Sequence, residues 1–346
     1  MTAARVMICD DSVAIRGAIG RMLESDPDVH VVAKVANGQL AVEELKRTKA
    51  DVIVLDIEMP VMDGMTALPL LLRADPKVRV IMASTLTTRG ADIAMRAMRL
   101  GAADYVPKPS SIGSVGDSRF QLELLEKVKG LARFGQRPAR TGSVASTRPA
   151  PVQAPRMLAI GSSTGGPQAL FTLVQGLGRQ IAVPVVLTQH MPATFTPILA
   201  EHIGRLGGMP CAEARDGEVL VNGRIYLAPG DKHLIVEGRA GSFRARLTTD
   251  PPENFCRPSV DPMLRSASSV CEGRVLVAML TGMGQDGLAG TRMVVEAGGC
   301  AIAQDEATSV VWGMPGAIAR AGLCHAVLPL PAMAGKLREI LKAPRA

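Results

Sequence analysis

Aromatic side chains make up only 3% of this 346-residue chain. That scarcity argues against single-strand nucleic-acid binding, where successive bases need stacking platforms. Paired cysteines are lacking too. The six present (Cys9, Cys211, Cys256, Cys271, Cys300, Cys324) are scattered and never form a C-x-x-C pair. Neither a disulfide framework nor a zinc site is indicated, and a reducing cytoplasm is the expected compartment. The opening MTAARVMICDDS lacks the charged-then-apolar layout of a leader, and no uncharged run is long enough to span a bilayer. No membrane insertion is therefore expected. Acidic residues are missing altogether between Glu126 and Glu201, a gap that contains Arg133, Arg137, Arg140, Arg148 and Arg156. Much of the net charge of +7 is thus local. A basic tether is ordinarily solvated, so no nucleic-acid partner is expected.

What is present is ample apolar content, 47% of residues, in a chain too long for one ordinary core. Over residues 1–130, short apolar strands (VMIC, VHVVAKV, DVIVLD, VRVIMAS, ADYV) alternate with amphipathic helical segments. Five βα units with near-continuous apolar strands imply a parallel sheet covered on both faces. Residues 131–155 turn to Arg, Pro, Ala, Ser, Thr and Gly without apolar periodicity, which reads as a flexible basic linker. A second α/β pattern fills 156–346, beginning at RMLAIGSSTGG; its middle (RIYLAPG, KHLIVEG, SFRARL) is more β-like.

Chemistry-bearing residues fall at the carboxyl ends of these strands. Asp10 and Asp11 follow the first strand, Asp56 ends the third, Ser84 the fourth, and Lys108 follows the fifth. In a doubly wound sheet such ends converge on one crevice. Three carboxylates gathered there repel one another unless a cation joins them, and hard oxygen ligands with room for water suit Mg2+. Ser84 and Lys108 could bind phosphoryl oxygens at the same rim. Taken singly, Asp10 and Asp11 would read as helix caps. CDDS, VLDIEMPVMDG, IMAS and YVPKP together resemble the signature of bacterial response-regulator receivers over about the first 110 residues. The resemblance implies a flavodoxin-like fold of strand order 2-1-3-4-5, with Asp56 as phosphoacceptor and Asp10, Asp11 and Asp56 around Mg2+. It also implies Ser84 and Lys108 as the switch pair, and Tyr105 as the aromatic whose position reports the switch state.

Two Gly-rich turns compete in the second domain. GSSTGG contains G-x-S-x-G centred on Ser163, a pattern that exposes a nucleophile at a sharp strand-to-helix turn. An ordinary turn with a Ser cap is the plain alternative. TGMGQDG is literally G-x-G-x-x-G (Gly282, Gly284, Gly287), with Asp305 and Glu306 near the spacing of a ribose-binding acid, so a dinucleotide-binding output is the rival. Its late position counts against that reading, as does Asp286, whose charge would repel a pyrophosphate. Ser163, His190 and Asp286 all follow parallel-type strands, and their types fit nucleophile, base and orienting acid. Their order along the chain differs from that of the usual α/β-hydrolases, so a different fold reaching the same geometry is expected.

GSSTGG, TQHMP, LTGMGQDG and AQDEATSVVWGMPGAIA closely resemble the chemotaxis protein-glutamate methylesterase family, over roughly Met157 to Leu341. The resemblance implies a phosphorylation-controlled enzyme that hydrolyses glutamate γ-methyl esters on chemoreceptors and deamidates receptor glutamines, with a chemotaxis histidine kinase as phosphodonor. Ser163, His190 and Asp286 would be catalytic, with Thr164 beside the histidine and Met283 donating to the oxyanion. No cofactor is expected for the esterase. One departure is Ser162, where the family commonly has Ala. A non-catalytic signalling module is the alternative from another class; a DNA-binding output fits worse, since no helix-turn-helix with a basic face follows the linker.

Overall fold

The computed structural model describes residues 3–84, 87–108, 118–133, 148–149, 151, 153–179, 181–239 and 241–342. Pro109 of the fifth-strand motif and linker positions 134–147, 150 and 152 lie outside the described residues. The chain divides into two compact units, Met1–Gln136 and Arg137–Ala346.

In the first unit, strands β1 (Ala4–Cys9), β2 (Val29–Val35), β3 (Val52–Asp56), β4 (Arg79–Ser84) and β5 (Asp104–Pro107) form one sheet. Its order is β2-β1-β3-β4-β5 with every pairing parallel, as expected. Strand β3 is buried at all five positions, so its apolar run VIVL carries Asp56 to the sheet's edge from inside the core. Helices α1 (Val13–Glu24), α2 (Gly38–Leu45), α3 (Gly64–Ala74) and α4 (Thr88–Arg99) start at side-chain caps: Ser12, Asn37, Asp63 and Thr87. Each accepts a backbone N–H three residues on, satisfying a donor the helix leaves open. Because Ser12 caps α1, Asp10 and Asp11 are not consumed by that task. Helix α5 runs over Ser118–Arg133.

The second unit starts its sheet in the middle. Strand β6 (Met157–Ser162) is fully buried, and the chain then builds outward through β7 (Val185–Gln189), β8 (Cys211–Glu213) and β9 (Ile225–Leu227). It returns to the opposite side of β6 with β12 (Val275–Met279), β13 (Cys300–Gln304) and β14 (Ala326–Leu328). The order is β14-β13-β12-β6-β7-β9-β8, with every pairing parallel. Winding therefore reverses at β6, and the crevice outside the carboxyl ends of β12, β6 and β7 is where such sheets bind ligands. The β-like middle splits: RIYL joins the parallel sheet, while β10 (His233–Arg239) and β11 (Ser242–Thr248) form a separate antiparallel hairpin. The alternating residues Leu234, Val236, Phe243 and Ala245 of the hairpin share one core with Met157 and Ala159 of β6.

Helices α6 (Gly166–Leu177), α7 (Thr196–Gly207), α8 (Val260–Val270), α9 (Leu288–Glu296), α10 (Met314–Arg320) and α11 (Leu330–Leu341) complete this unit. Truncating a wholly buried strand residue such as Ile160 to Ala would cost about 2–5 kcal/mol and loosen the rim that β6 supports. Before β6, Arg148 donates to the Gly322 carbonyl and Arg274 to that of Ala154, so parts of the expected linker are held to this unit. Among the described residues no helix is long and apolar enough to cross a membrane.

Candidate active site

At the edge of the first sheet, Asp10 and Asp56 are buried and Asp11 is exposed. One oxygen from each of the three lies within 4.8 Å of the others. Lys108 Nζ stands 2.8 Å from Asp10 Oδ2 and 2.6 Å from Asp56 Oδ2, a point charge that partly neutralises the buried pair. Burial pushes the Asp56 carboxyl up to about 6; the Lys108 bond and charge oppose that, and Asp10 adds to it. Hard carboxylate oxygens with one open side fit Mg2+, which keeps several waters. Ser84 is buried, and its carbonyl accepts from the Lys108 N–H at 2.6 Å, tying the two switch candidates together. Tyr105 is packed inward, with Lys127 Nζ 4.9 Å from its ring centroid and bonded to its carbonyl.

In the second unit, three neighbouring strand ends are stitched by backbone bonds. Ser163 N–H donates to the Thr281 carbonyl (3.0 Å) after β12, and His190 N–H donates to that of Ser162 (3.1 Å). Ser163 opens a tight turn in which Gly165, at φ 73°, leads into α6. A Cβ there would stand 2.5 Å from Val310 Cγ2, so a side chain would be excluded on two counts. A Cβ on Gly282 would come within 2.9 Å of Ser163 Cβ, which shows how closely the loop after β12 lies against the serine. The neighbouring hydroxyl is occupied elsewhere. Ser162 is fully buried and donates to Gln189 Oε1 (2.7 Å), while Gln189 Nε2 donates to the carbonyls of Ser163 and His190.

His190 Nε2 lies 2.7 Å from Asp286 Oδ2. Asp286 is buried and accepts from Ser259 Oγ (2.7 Å), Asn254 Nδ2 (2.9 Å) and the N–H groups of Val260, Asp261 and Gly287. Ser259 stands at the N-cap position of α8 but spends its hydroxyl on Asp286, whose carboxylate takes the helix's first amides instead. An anion suits a helix N-terminus electrostatically. The same arrangement counts against the dinucleotide reading: Gly287 N–H, at the start of α9 where a pyrophosphate would sit, already serves the Asp286 carboxylate. Asp305 is likewise engaged in its own turn, accepting from Thr308 N–H and Oγ1.

Burial alone would lower the His190 pKa, but the bonds to Asp286 and then Cys256 outweigh it and raise it to about 10. For Asp286 burial pushes upward, and the His190 bond reverses that to about 2. The His190 contribution to stability is complete below 6.5 and lost as pH climbs through about 10; that of Asp286 is complete above 3.8 and lost as pH falls through about 2. Thermal midpoints should show both contributions between those two limits, and Asp286→Asn should flatten the alkaline side.

The structure brings His190 and Asp286 into contact and sets Ser163 on the same rim without a hydrogen bond to the ring. His190 Nδ1 instead lies 3.4 Å from Cys256 Sγ. Thr164 is buried, its carbonyl accepting from Thr281 Oγ1, and Met283 is half-buried in the Gly282 loop. Among the described residues, neither hydrogen-bonds the His190 ring. Sequence reasoning missed Asn254, Cys256 and Ser259. The one available signal was Ser259 ahead of an amphipathic run, which marks a helix start but not a bond to Asp286.

One parallel sheet thus carries an acidic crevice with a lysine, and another carries a serine, an imidazole and a buried carboxylate: the class is a receiver-bearing hydrolase. A CheB methylesterase model matches residues 158–337 and a response regulator receiver domain matches residues 6–116. The chain belongs to the CheB methylesterase family. It is 54% identical to "Protein-glutamate methylesterase/protein-glutamine glutaminase of group 2 operon" of Rhodospirillum centenum, over 97% of this chain and 93% of that one. Identity to the protein-glutamate methylesterase/protein-glutamine glutaminase of Azospirillum brasilense is 55%, over 97% and 92%. Among solved structures, the Thermotoga maritima CheB methylesterase catalytic domain is 37% identical with a TM-score of 0.53, covering 54% of this chain and 99% of that domain.

Proposed function

We propose that this chain is a protein-glutamate methylesterase and protein-glutamine glutaminase acting on methyl-accepting chemoreceptors, switched on by phosphorylation of its receiver. The observation that carries the reading is the alignment of Ser163, His190 and Asp286 on three adjacent strand ends, with the 2.7 Å His190–Asp286 contact. Ser163 Oγ attacks the γ-carbonyl carbon while His190, in its neutral form, takes the hydroxyl proton. His190 then returns that proton to the leaving methanol, or ammonia, and an acyl-enzyme remains. Water attacks this ester, again through His190, and releases glutamate and Ser163. Asp286 holds the ring and stabilises its charged form. Thr164 beside the histidine and Met283 toward the oxyanion are support roles assigned by family resemblance.

In the receiver, residues 1–130, Asp56 takes the phosphoryl group from a chemotaxis histidine kinase, and Ser84, Lys108 and Tyr105 form the switch. Asp10, Asp11 and Asp56 would hold Mg2+, which when bound offsets charge on the phosphoryl oxygens. Residues 131–155 link this domain to the catalytic residues 156–346. All six cysteines are free, which suits a reducing cytoplasm.

Methanol release from methylated receptor membranes, with and without a small phosphodonor, tests the reading; an absence of release in both arms would refute it. The 3.4 Å Cys256–His190 contact favours one second reading, with Cys256 as nucleophile. Cys256→Ala separates the two: we expect the rate to fall by no more than about fivefold, the scale of one weak hydrogen bond. Ser162→Ala should keep the rate too. It should cost about 1–3 kcal/mol of stability by stranding Gln189 Oε1, as read by thermal or denaturant unfolding.

A further inference from the structure

Between the β10–β11 hairpin and α8, the segment Glu253-Asn254-Phe255-Cys256 makes a tight turn closed by two backbone bonds. Glu253 N–H donates to the Cys256 carbonyl (3.1 Å), and Cys256 N–H donates to that of Glu253 (2.9 Å). Both central residues lie in the left-handed region, Asn254 at φ 51° and Phe255 at φ 62°. Two-residue turns of this kind favour Asn and Gly at those places. Asn254 conforms; a phenylalanine does not, and the strain must be offset elsewhere. The Phe255 side chain gains no packing in return, being 94% exposed; the turn is held by its backbone bonds and by the residues on either side.

The residues on either side are committed to the catalytic rim. Asn254 Nδ2 bridges Asp286 and Asp261, and Cys256 Sγ lies against His190. The turn therefore fixes the ring of Phe255 in solvent at the edge of the site, beside exposed Pro251 and Pro252. A glutamyl ester extends only about 4 Å from its own Cα, three carbon–carbon bonds. Its reaction at Ser163 thus brings the surface of the substrate protein down onto this rim. A rigid aromatic presented at low entropy cost is the usual anchor of such contacts.

We infer that Phe255 is a docking anchor for the protein that carries the glutamyl ester, a proposal that rests on the esterase reading above. The strained turn trades local comfort for a ring aimed at the substrate while its neighbours steady Asp286 and His190. Phe255 is a binding residue and touches no reacting atom.

The test uses the full chain, saturated with phosphodonor, on methylated receptor membranes. Phe255→Asn should raise KM for methanol release about tenfold with kcat retained, as for loss of a modest interface anchor. Its thermal midpoint should hold or rise, since Asn accepts the left-handed backbone. Phe255→Leu, which keeps an apolar anchor, should restore KM to near the wild-type value. A wild-type KM in Phe255→Asn would overturn the inference, as would a fall in kcat alone, which would mean the turn serves only the rim. Raised methanol release without phosphodonor at unchanged KM would also overturn it, assigning the ring to the receiver. If the wild-type chain itself releases no methanol, the esterase reading fails instead, and the anchor with it.

Discussion

Replacing Ser163 with alanine is expected to lower methanol release by about a millionfold, the scale found when a serine hydrolase loses its nucleophile. Asp286→Asn should cost about 10,000-fold, because the imidazole is then held in the wrong tautomer. Combining the two should do little more harm than Ser163→Ala alone, as expected of a nucleophile, base and acid that act as one unit. The pH profile adds a sign to this. His190 must be neutral to accept the serine proton, and its contact with Asp286 raises its pKa to about 10 against the opposing effect of burial. The rate should accordingly rise with pH along a limb lying above 6.5. In Asp286→Asn the carboxylate no longer counters burial, so that limb should move to lower pH even as the rate drops. A limb that stays in place would mean Asp286 does not govern the ring. Full activity in Ser163→Ala together with collapse in Cys256→Ala would transfer the nucleophile to the thiol.

The parts of this site that were legible are those set by strand ends. Continuous apolar runs such as VIVLD and MLAIGS read as buried parallel strands when helical segments alternate with them, and polar residues at or just past the end of each run then fall near the rim. Asp56, Ser163 and His190 were visible on that ground, and Asp286 through the glycines that free its loop. The segment PPENFCRPSVD was not legible, because it has no apolar period and its contacts are distant in sequence. Asn254 reaches Asp286 across 32 positions, and Cys256 reaches His190 across 66. Two serine hydroxyls also have partners that the local sequence does not name. Ser259 looks like a cap for its own helix, yet its hydroxyl serves Asp286. The G-x-S-x-G centre already singles out Ser163, and Ser162 beside it is sealed against Gln189. In both cases a buried acceptor elsewhere in the fold claims the hydroxyl.

Asp56→Asn should abolish incorporation of acid-labile phosphate from a small phosphodonor, and with it any gain in methanol release that the donor gives. The amide keeps the shape of the carboxylate but has no anionic oxygen to attack phosphorus. It also removes one of the two carboxylates that Lys108 faces, at 2.6 Å, leaving only Asp10 at 2.8 Å. Lys108 should therefore stay seated, and the variant should fold. Near-normal thermal unfolding beside zero labelling separates lost chemistry from lost structure. Chelating divalent cations should suppress labelling of the wild-type chain in the same assay while leaving Ser163-dependent hydrolysis without phosphodonor in place, because among the described residues the carboxylates gathered closely enough to fit Mg2+ belong to the receiver. Retained labelling in Asp56→Asn would move the acceptor to another carboxylate of the crevice. Lost labelling with a full donor-dependent gain in hydrolysis would break the link between the phosphate on one sheet and the serine on the other.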